Sequence, residues 1–333
     1  MISFFFLIIL LNFLIAIFFE KFSKIVNIFE IPNQSHKIHK GKVAPIGGII
    51  LYINLLFSII FFYCSKDKSE ILENLIIFSN YKEIYVSFFI YSLFVSTGVV
   101  DDKINLKANL KLILSIIYIL ILILLDQNLL IDKLIFNKSN FVIQITYLKI
   151  FFIVFCFITF INALNMFDGI NLQTSLYSLL ICIIFLIKIE FDLLLNLLII
   201  FLLFFSFLNY QSRCFLGDGG SLGLGFIFAY YFVKSYNIQE IILVDQIFLI
   251  MLLPGAELIR LSISRVVSGK HPFKADQNHL HHLLIKKFNL VKSLIINFLL
   301  IIIPLFLYEF DINVILIILL TLSLYFLIIS RLK

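Results

Sequence analysis

The chain has 333 residues, of which 62% are hydrophobic and 14% are charged. A soluble globular domain is about a quarter charged and just under half apolar, so this composition excludes an ordinary soluble enzyme. We therefore predict an integral membrane protein, with the lipid bilayer as a partner and no nucleic acid. The net charge of +6 suits loops that face anionic lipid head groups. The four cysteines show no CxxC spacing, which argues against a disulfide framework.

Eleven apolar runs are long enough, or nearly so, to cross roughly 30 Å of hydrocarbon as helices. They cover residues 2–19, 46–63, 84–100, 109–125, 147–163, 174–188, 191–208, 221–235, 241–258, 293–308 and 312–329. The first run lacks a basic n-region and a cleavage site, which predicts a retained helix rather than a signal peptide. With no internal repeat, the fold class that we predict is an all-α polytopic membrane protein with a single domain over residues 1–333.

Eleven spans would place alternate loops on opposite sides of the membrane. One side holds 18 of the 26 Lys and Arg residues and all six His residues. The positive-inside rule predicts that this side is cytoplasmic, with the N-terminus outside and the C-terminus inside. The simplest interpretation is that these basic loops serve only to set the orientation of the helices in the membrane. They also contain the residues best suited to chemistry.

Two aspartates, Asp101 and Asp102, end one apolar run just before the next begins. Carboxylates are costly in hydrocarbon, so these must face water, a cavity or a cation. The residues alone suggest a hard-cation site through Asp102 and a general base through Asp101, or else a solvated helix end. Asn162, Asn165 and Asp168 recur every third residue and would share one side of a helix or turn; a helix cap is the alternative.

Asp218 lies within the glycine-rich stretch RCFLGDGGSLGLG, which lacks the GK[ST] ending of a P-loop. A metal that bridges phosphates fits this carboxylate, although such glycines also help membrane helices to pack. In the last loop, His279, His281 and His282 follow two arginines. Adjacent histidines on a helix cannot face one zinc ion, so donors to phosphate or sugar oxygens are the better interpretation. Oxygen ligands select Mg²⁺, or Mn²⁺, and together with basic donors indicate phosphoryl transfer.

Five segments together resemble the motifs of the polyprenyl-phosphate N-acetylhexosamine-1-phosphate transferases, the glycosyltransferase family 4 that includes the phospho-MurNAc-pentapeptide translocase. The segments are HKIHKGKVAPIGG, GVVDDKINLKANLKL, NALNMFDGI, FLGDGGSLGLG and HPFKADQNHLHHLL. The resemblance implies about 11 transmembrane helices with cytoplasmic catalytic loops, in a bacterial inner membrane. It implies Mg²⁺-dependent transfer of a sugar 1-phosphate from a UDP-sugar to undecaprenyl phosphate, with UMP as the other product, and it leaves a homodimer open.

The same resemblance implies the role of each motif residue. Those expected at the reacting phosphates are Asp101, Asp102, Asp168, Lys111 and His279, with Asp101 as the candidate base. Asp218 would bind the metal together with Asp102. Those expected to bind the two substrates are Asn162, Asn165, Phe215, Arg260, Arg265, His271, His281 and His282, with Phe215 stacked on uracil. Direct attack by the lipid phosphate is favoured over a covalent intermediate on Asp168.

The spacing His279-Leu280-His281-His282 resembles the branch that uses UDP-GlcNAc or a related amino sugar to begin O-antigen, common-antigen or teichoic acid chains. The peptidoglycan translocase, with three consecutive histidines, is the alternative. Residues 168–173 read DGINLQ where the family has DGIDGL, so Asn171 and Gln173 depart from the pattern, as does Glu257 where an aspartate is expected. These departures keep an inactive homologue open. A transporter is the rival from another class, since it too carries ionisable groups.

Overall fold

The structure, a computed structural model, describes residues 2–30, 42–136, 141–239, 241–270 and 277–332. Within these ranges the chain is almost entirely helical, which confirms the predicted all-α membrane fold. The helices are α1 Ile2–Ile17, α2 Phe19–Val26, α3 Gly47–Cys64, α4 Lys68–Glu73, α5 Tyr81–Ile104, α6 Ala108–Leu125, α7 Lys149–Phe167, α8 Gln173–Ile189, α9 Leu193–Tyr210, α10 Gly217–Gln239, α11 Val244–Val267, α12 Leu280–Lys287, α13 Leu290–Glu309 and α14 Val314–Leu332.

Each of the eleven apolar runs falls in a separate long helix of the described chain. By length and composition eight of these helices can cross a membrane, or nine if α1 and α2, bent by 79°, form one span. Two predicted spans depart from this criterion for different reasons. Helix α8 has only 17 residues, and α10 carries Asp218, Lys234 and several glycines and is not one of the eight.

A small hairpin between α6 and α7 was not predicted. Strand β1, Lys133–Phe136, pairs antiparallel with β2, Phe141–Gln144. The Tyr236 hydroxyl from α10 donates to the Lys133 carbonyl at 2.7 Å, and accepts from the Ile135 N–H at 3.0 Å. Four-residue strands leave too short a pattern to distinguish from a loop. The hairpin lies at the end of the bundle away from the motif residues.

Helix α10 is the centre of the bundle. Every residue from 219 to 236 is buried, and α10 packs chiefly against α5, α7 and α3. A Cβ atom added to Gly98 on α5 would lie 2.3 Å from the backbone nitrogen of Gly219, and one added to Gly48 on α3 would lie 2.2 Å from that of Gly220. Only glycine permits such close backbone approach. Because other helices surround α10, its surface does not need to be apolar to face lipid.

A buried ion network fixes the far end of α10. The Lys234 side chain is fully buried, and its Nζ lies 2.8 Å from Glu83 of α5 and 2.9 Å from Asp126 at the end of α6. The Tyr230 hydroxyl donates to Asp126 at 2.8 Å, and the Asn128 amide donates to Glu83 at 2.8 Å. The predicted span 221–235 therefore contains a fully buried lysine. Burial of the lysine is tolerated because its two carboxylate partners are buried beside it.

We expect Lys234→Met to lower the free energy of unfolding by about 3–5 kcal/mol, because it leaves two buried carboxylates without their cation. Lys149→Met is the matched control, since Lys149 pairs with the exposed Asp132, and loss of an exposed pair changes stability by about 1 kcal/mol or less. Thermal unfolding of both variants in detergent measures the difference. Equal melting temperatures would contradict a stabilising role for the network.

Candidate active site

Most of the predicted site residues lie in the first or last turns of helices, and these helix ends meet at one end of the bundle. Helix α5 continues to Ile104 and so carries Asp101 and Asp102 in its last turns. Asn162 and Asn165 lie in the last turns of α7, and Asp218 lies in the first turn of α10. Side chains on regular helices hold their positions more tightly than side chains on loops.

Lys111 connects three of the motifs. Its Nζ lies 2.5 Å from Oδ2 of Asp101 and 3.4 Å from Oδ2 of Asp218. The other oxygen of Asp218 accepts a hydrogen bond from Nδ2 of Asn165 at 3.1 Å, and the same amide nitrogen lies 2.7 Å from the Ser221 hydroxyl. Residues more than 100 positions apart in sequence thus form one network. Ser221 was not predicted; its only sequence signal is its place within the glycine-rich motif.

Asp102 contacts the N-terminus of α10, a role that the sequence did not suggest. Its carboxylate accepts hydrogen bonds from the backbone N–H groups of Asp218, at 3.0 Å, and Gly219, at 3.4 Å. It therefore caps the N-terminus of α10, where unpaired N–H groups and the helix dipole favour a negative charge. This contact accounts for the aspartate without a metal, so the predicted metal ligation by Asp102 stays a prediction.

A comparison of Asp102→Asn with Asp102→Ala tests the capping role. Asparagine keeps an acceptor for one N–H, so we expect it to melt close to the native protein, whereas alanine should lower stability by about 1–2 kcal/mol. Thermal unfolding in metal-free detergent solution measures both. An Asn variant as unstable as the Ala variant would show that the capping hydrogen bond is not what Asp102 contributes.

Two polar cavities adjoin at this end of the bundle and share the side chains of Asn165, Asp168, Asp218 and His282. The first, about 310 Å³, is called the basic cavity; its charged and titratable lining is Lys111, Asp168, Asp218, Arg265, His279, His281 and His282. The second, about 560 Å³, is called the acidic cavity; its lining includes Glu30, Asp102, Asp168, Asp218 and Phe215, and no described Lys or Arg lines it.

The turn after α7 presents Asp168 to both cavities. Loss of water around this carboxyl, together with the nearby charges of Asp218 and Glu30, raises its pKa to about 7. Raising the pKa holds the proton on Asp168 up to neutral pH in the ligand-free protein, so a cation bound beside it would favour ionisation. Asn171, an exception to the family pattern, donates to the Ser212 hydroxyl at 2.8 Å on the rim of the acidic cavity.

Leu172 begins α8 in the left-handed conformation, with φ +69°. The DGIDGL pattern has glycine at this position, and only glycine adopts such a φ without steric penalty. The strain is held by Asn209, whose Oδ1 accepts from the Leu172 N–H at 2.6 Å while its Nδ2 donates to the Cys214 carbonyl at 2.8 Å. Asn209 thus ties the Asp168 turn to the loop before Asp218, a role that no sequence motif indicated.

We expect Leu172→Gly to raise the free energy of unfolding by up to about 1 kcal/mol, because it removes the penalty of a left-handed leucine. Leu176→Gly, four residues further into α8 and also half-buried, is the control; it should destabilise by about 1 kcal/mol or more, since glycine weakens a helix interior. Thermal unfolding gives the two signs. A destabilised Leu172→Gly variant would contradict stored strain at this turn.

The histidine cluster closes the basic cavity. The rings of His279, His281 and His282 contact one another, with centroids 4.3–5.8 Å apart. Arg265 is buried, and its guanidinium lies 3.4 Å from Nε2 of His279. Burial, together with the charges of His282, His279 and Arg260, lowers the pKa of His281 well below its usual value. His281 therefore meets a ligand as a neutral ring at physiological pH.

Arg260 lines neither cavity. Its guanidinium donates to Glu257 at 2.7 Å and to the Asn278 carbonyl at 2.8 Å, and its Nε donates to the Tyr325 hydroxyl at 2.6 Å. Glu257, the residue found where the family has aspartate, also accepts from the Leu280 N–H at 2.9 Å and from Tyr325. These contacts anchor the start of α12 and thereby the histidines. The sugar contact predicted for Arg260 stays a prediction.

Most of the predicted site residues come together. Those that line one or both cavities are Asp102, Lys111, Asn162, Asn165, Asp168, Phe215, Asp218, Arg265, His279, His281 and His282. Asp101 is buried and reaches the site through Lys111. Asn162 donates from its amide to the Ile158 carbonyl of its own helix at 2.8 Å. His271 and the segment His36–Gly41 lie outside the described residues.

The donor chemistry suits a magnesium ion. Among the described residues no three His, Cys, Asp or Glu side chains form a ready-made metal cage. Mg²⁺, however, is usually bound by one or two carboxylates, with water and substrate phosphates as the other ligands. Asp168 and Asp218 line both cavities and supply such a pair. The residues therefore fit a cation that binds together with a phosphate substrate.

Comparison with known proteins gives two findings. Residues 84–236 match the family model described as Glycosyl transferase family 4, a range that includes the motifs of Asp101, Asp168 and Asp218. Over 156 residues the chain is 27% identical to a phospho-N-acetylmuramoyl-pentapeptide-transferase from Streptococcus gordonii. The alignment covers 44% of this chain and 46% of that protein, so the chain spans about half the length of the curated relative it matches.

Proposed function

We propose that the chain is a glycosyl transferase of family 4, which the match over residues 84–236 supports, and that it transfers a sugar 1-phosphate from a UDP-sugar to undecaprenyl phosphate. The products would be undecaprenyl-diphospho-sugar and UMP, and the donor that we favour is a UDP-N-acetylhexosamine such as UDP-GlcNAc. The reaction would take place at the cytoplasmic face of a bacterial inner membrane and would begin a cell-envelope polysaccharide.

The observation that carries the proposal is the network centred on Lys111. One cation pairs with Asp101 and lies 3.4 Å from Asp218, which in turn is held by Asn165. Phosphoryl transfer requires negative phosphates to be held beside cations and a carboxylate-bound metal, since positioning and electrostatics supply most of its catalysis. The Lys111 network supplies the cation and two carboxylates, beside two polar cavities in a membrane protein.

Mg²⁺, or Mn²⁺ in its place, would be held by Asp218 and Asp168, and when bound it would neutralise the phosphate oxygens of the donor. Asp102 supports this pair by capping α10, which fixes the backbone of Asp218. Lys111, Arg265 and the histidine cluster would hold the diphosphate in the basic cavity through their N–H groups.

Asp101 is the candidate base for a protonated lipid phosphate. Its carboxylate is already held by Lys111 and by the Leu106 N–H at 2.6 Å, which favours its ionised form. We favour direct attack of the lipid phosphate oxygen on the β-phosphorus of the UDP-sugar. A new P–O bond forms there as the bond to the UMP oxygen breaks, so the electron pair leaves with UMP.

The acidic cavity suits a neutral part of the donor. Its amide and hydroxyl groups include Asn171, Asn209 and Ser212, and Phe215 offers an aromatic face for a base. We propose that uridine binds there, which leaves the basic cavity for the diphosphate and sugar. The matched relative from Streptococcus gordonii makes UDP-MurNAc-pentapeptide the alternative donor.

Release of UMP by the purified protein tests the proposal, with undecaprenyl phosphate, Mg²⁺ and one UDP-sugar in each reaction. The panel is UDP-GlcNAc, UDP-GalNAc and UDP-MurNAc-pentapeptide. We expect release that requires both lipid and metal, and greatest with one of the two hexosamines. A folded protein that binds UDP-sugar yet releases no UMP from any donor would favour an inactive homologue.

We expect Asp218→Asn to abolish Mg²⁺-dependent UMP release, with at least about a hundredfold loss, because the metal would lose its principal ligand. Full activity of the Asp218→Asn variant would remove Asp218 from the metal site.

Arg265→Ala should raise KM for the UDP-sugar more than KM for the lipid phosphate, since Arg265 lines the basic cavity. An unchanged UDP-sugar KM would contradict the placement of Arg265.

A further inference from the structure

Gln173 lies directly behind the His281 ring. Its side chain is fully buried at the start of α8, and its amide Nε2 lies 3.4 Å from Nδ1 of His281. On the other side, its Oε1 accepts from Nδ2 of Asn297 on α13 at 3.3 Å. Three side chains from α13, α8 and α12 thus form a line that ends at the wall of the basic cavity.

The polarity of this line determines which nitrogen of His281 carries the proton. In the structure the Gln173 oxygen faces Nδ2 of Asn297 at 3.3 Å, and its NH₂ group faces Nδ1 of His281 at 3.4 Å. An amide nitrogen can only donate, so Nδ1 of His281 accepts and carries no proton. A neutral imidazole then has its proton on Nε2.

The protonated nitrogen lies against Gly169, which lines the basic cavity. A Cβ added to Gly169 would fall 1.9 Å from Nε2 of His281, so the ring rests on this glycine, next to Asp168. The charged and titratable groups around the ring are Asp168, Arg260, Arg265, His279 and His282. With four cationic or partly cationic neighbours and little water, protonation of His281 is disfavoured.

We propose that Gln173 is a positioning residue that holds His281 as a neutral ring, with its Nε2–H directed over Gly169 into the basic cavity as a donor to a phosphate or sugar oxygen of the substrate. The proposal rests on the proposed function. It concerns a position at which this chain departs from the DGIDGL pattern, which has there a leucine that cannot hold a ring nitrogen.

Three variants test the role of the amide in the UMP assay. Gln173→Met keeps the length of the side chain without the hydrogen bond, and we expect kcat/KM to fall roughly tenfold. Ser178→Ala is the matched control, because Ser178 is fully buried on the same helix and its hydroxyl has no hydrogen-bond partner among the described residues. It should retain native activity.

Gln173→Glu tests the tautomer, because a carboxylate accepts from Nδ1 where the amide donates. At low pH the imidazolium carries protons on both nitrogens, so the Nε2 donor remains. As pH rises, the ring keeps the Nδ1 proton that Glu holds and loses the one on Nε2. We therefore expect activity to fall with rising pH between about 6 and 8, a fall that the native protein does not show.

A measurement that needs no activity separates this proposal from the proposed function. ¹⁵N NMR of histidine-labelled native protein distinguishes protonated from bare ring nitrogens, and we expect His281, assigned from a His281→Gln spectrum, to be bare at Nδ1. A proton on Nδ1, or a Gln173→Met variant as active as Ser178→Ala, would overturn the role of Gln173. Absence of UMP release by the native protein would overturn only the proposed reaction.

Discussion

The tightest packing in this fold is the close approach of neighbouring helix backbones to α10. Gly48 and Gly98 bring α3 and α5 within direct contact of the first turn of α10, at separations that leave no room for a Cβ. Van der Waals packing drives helix association in lipid, and small residues at the contact make it effective. The same approach places the Asp102 carboxylate at the N-terminus of α10. Helix packing and the geometry of the site therefore arise from one contact.

The two ends of α10 use charge differently. At the far end Lys234 is fully enclosed and pairs with two carboxylates, which also accept hydrogen bonds from a tyrosine hydroxyl and an asparagine amide. At the motif end Asp218 has a cation 3.4 Å away that is shared with Asp101, and it faces two cavities. A closed network stabilises a unique packing, whereas an open one leaves carboxylate oxygens to interact with a ligand. This difference locates the chemistry at one end of the helix.

Periodicity and hydropathy predicted the eleven long helices, because a run of about 20 apolar residues permits little else in a bilayer. The motifs likewise predicted a shared site, and eleven of the predicted side chains line its two cavities, whereas Arg260 lines neither. The hairpin of residues 133–144 was not predicted, because its strands are too short to show a pattern. The capping role of Asp102 was not predicted, because a carboxylate that binds backbone N–H groups looks the same in sequence as one that binds a metal. Asn209 and Gln173 act through tertiary contacts that no local pattern records.

The departures from the family pattern become intelligible once their contacts are known. Leu172 keeps the left-handed conformation that the pattern assigns to glycine, and Asn209 holds it there. Glu257 reaches Arg260 and the Leu280 N–H, so the longer side chain still anchors the histidine segment. Gln173 adds a polar contact where the pattern has leucine. Each of these three departures therefore has a tertiary partner that fixes its position at the site.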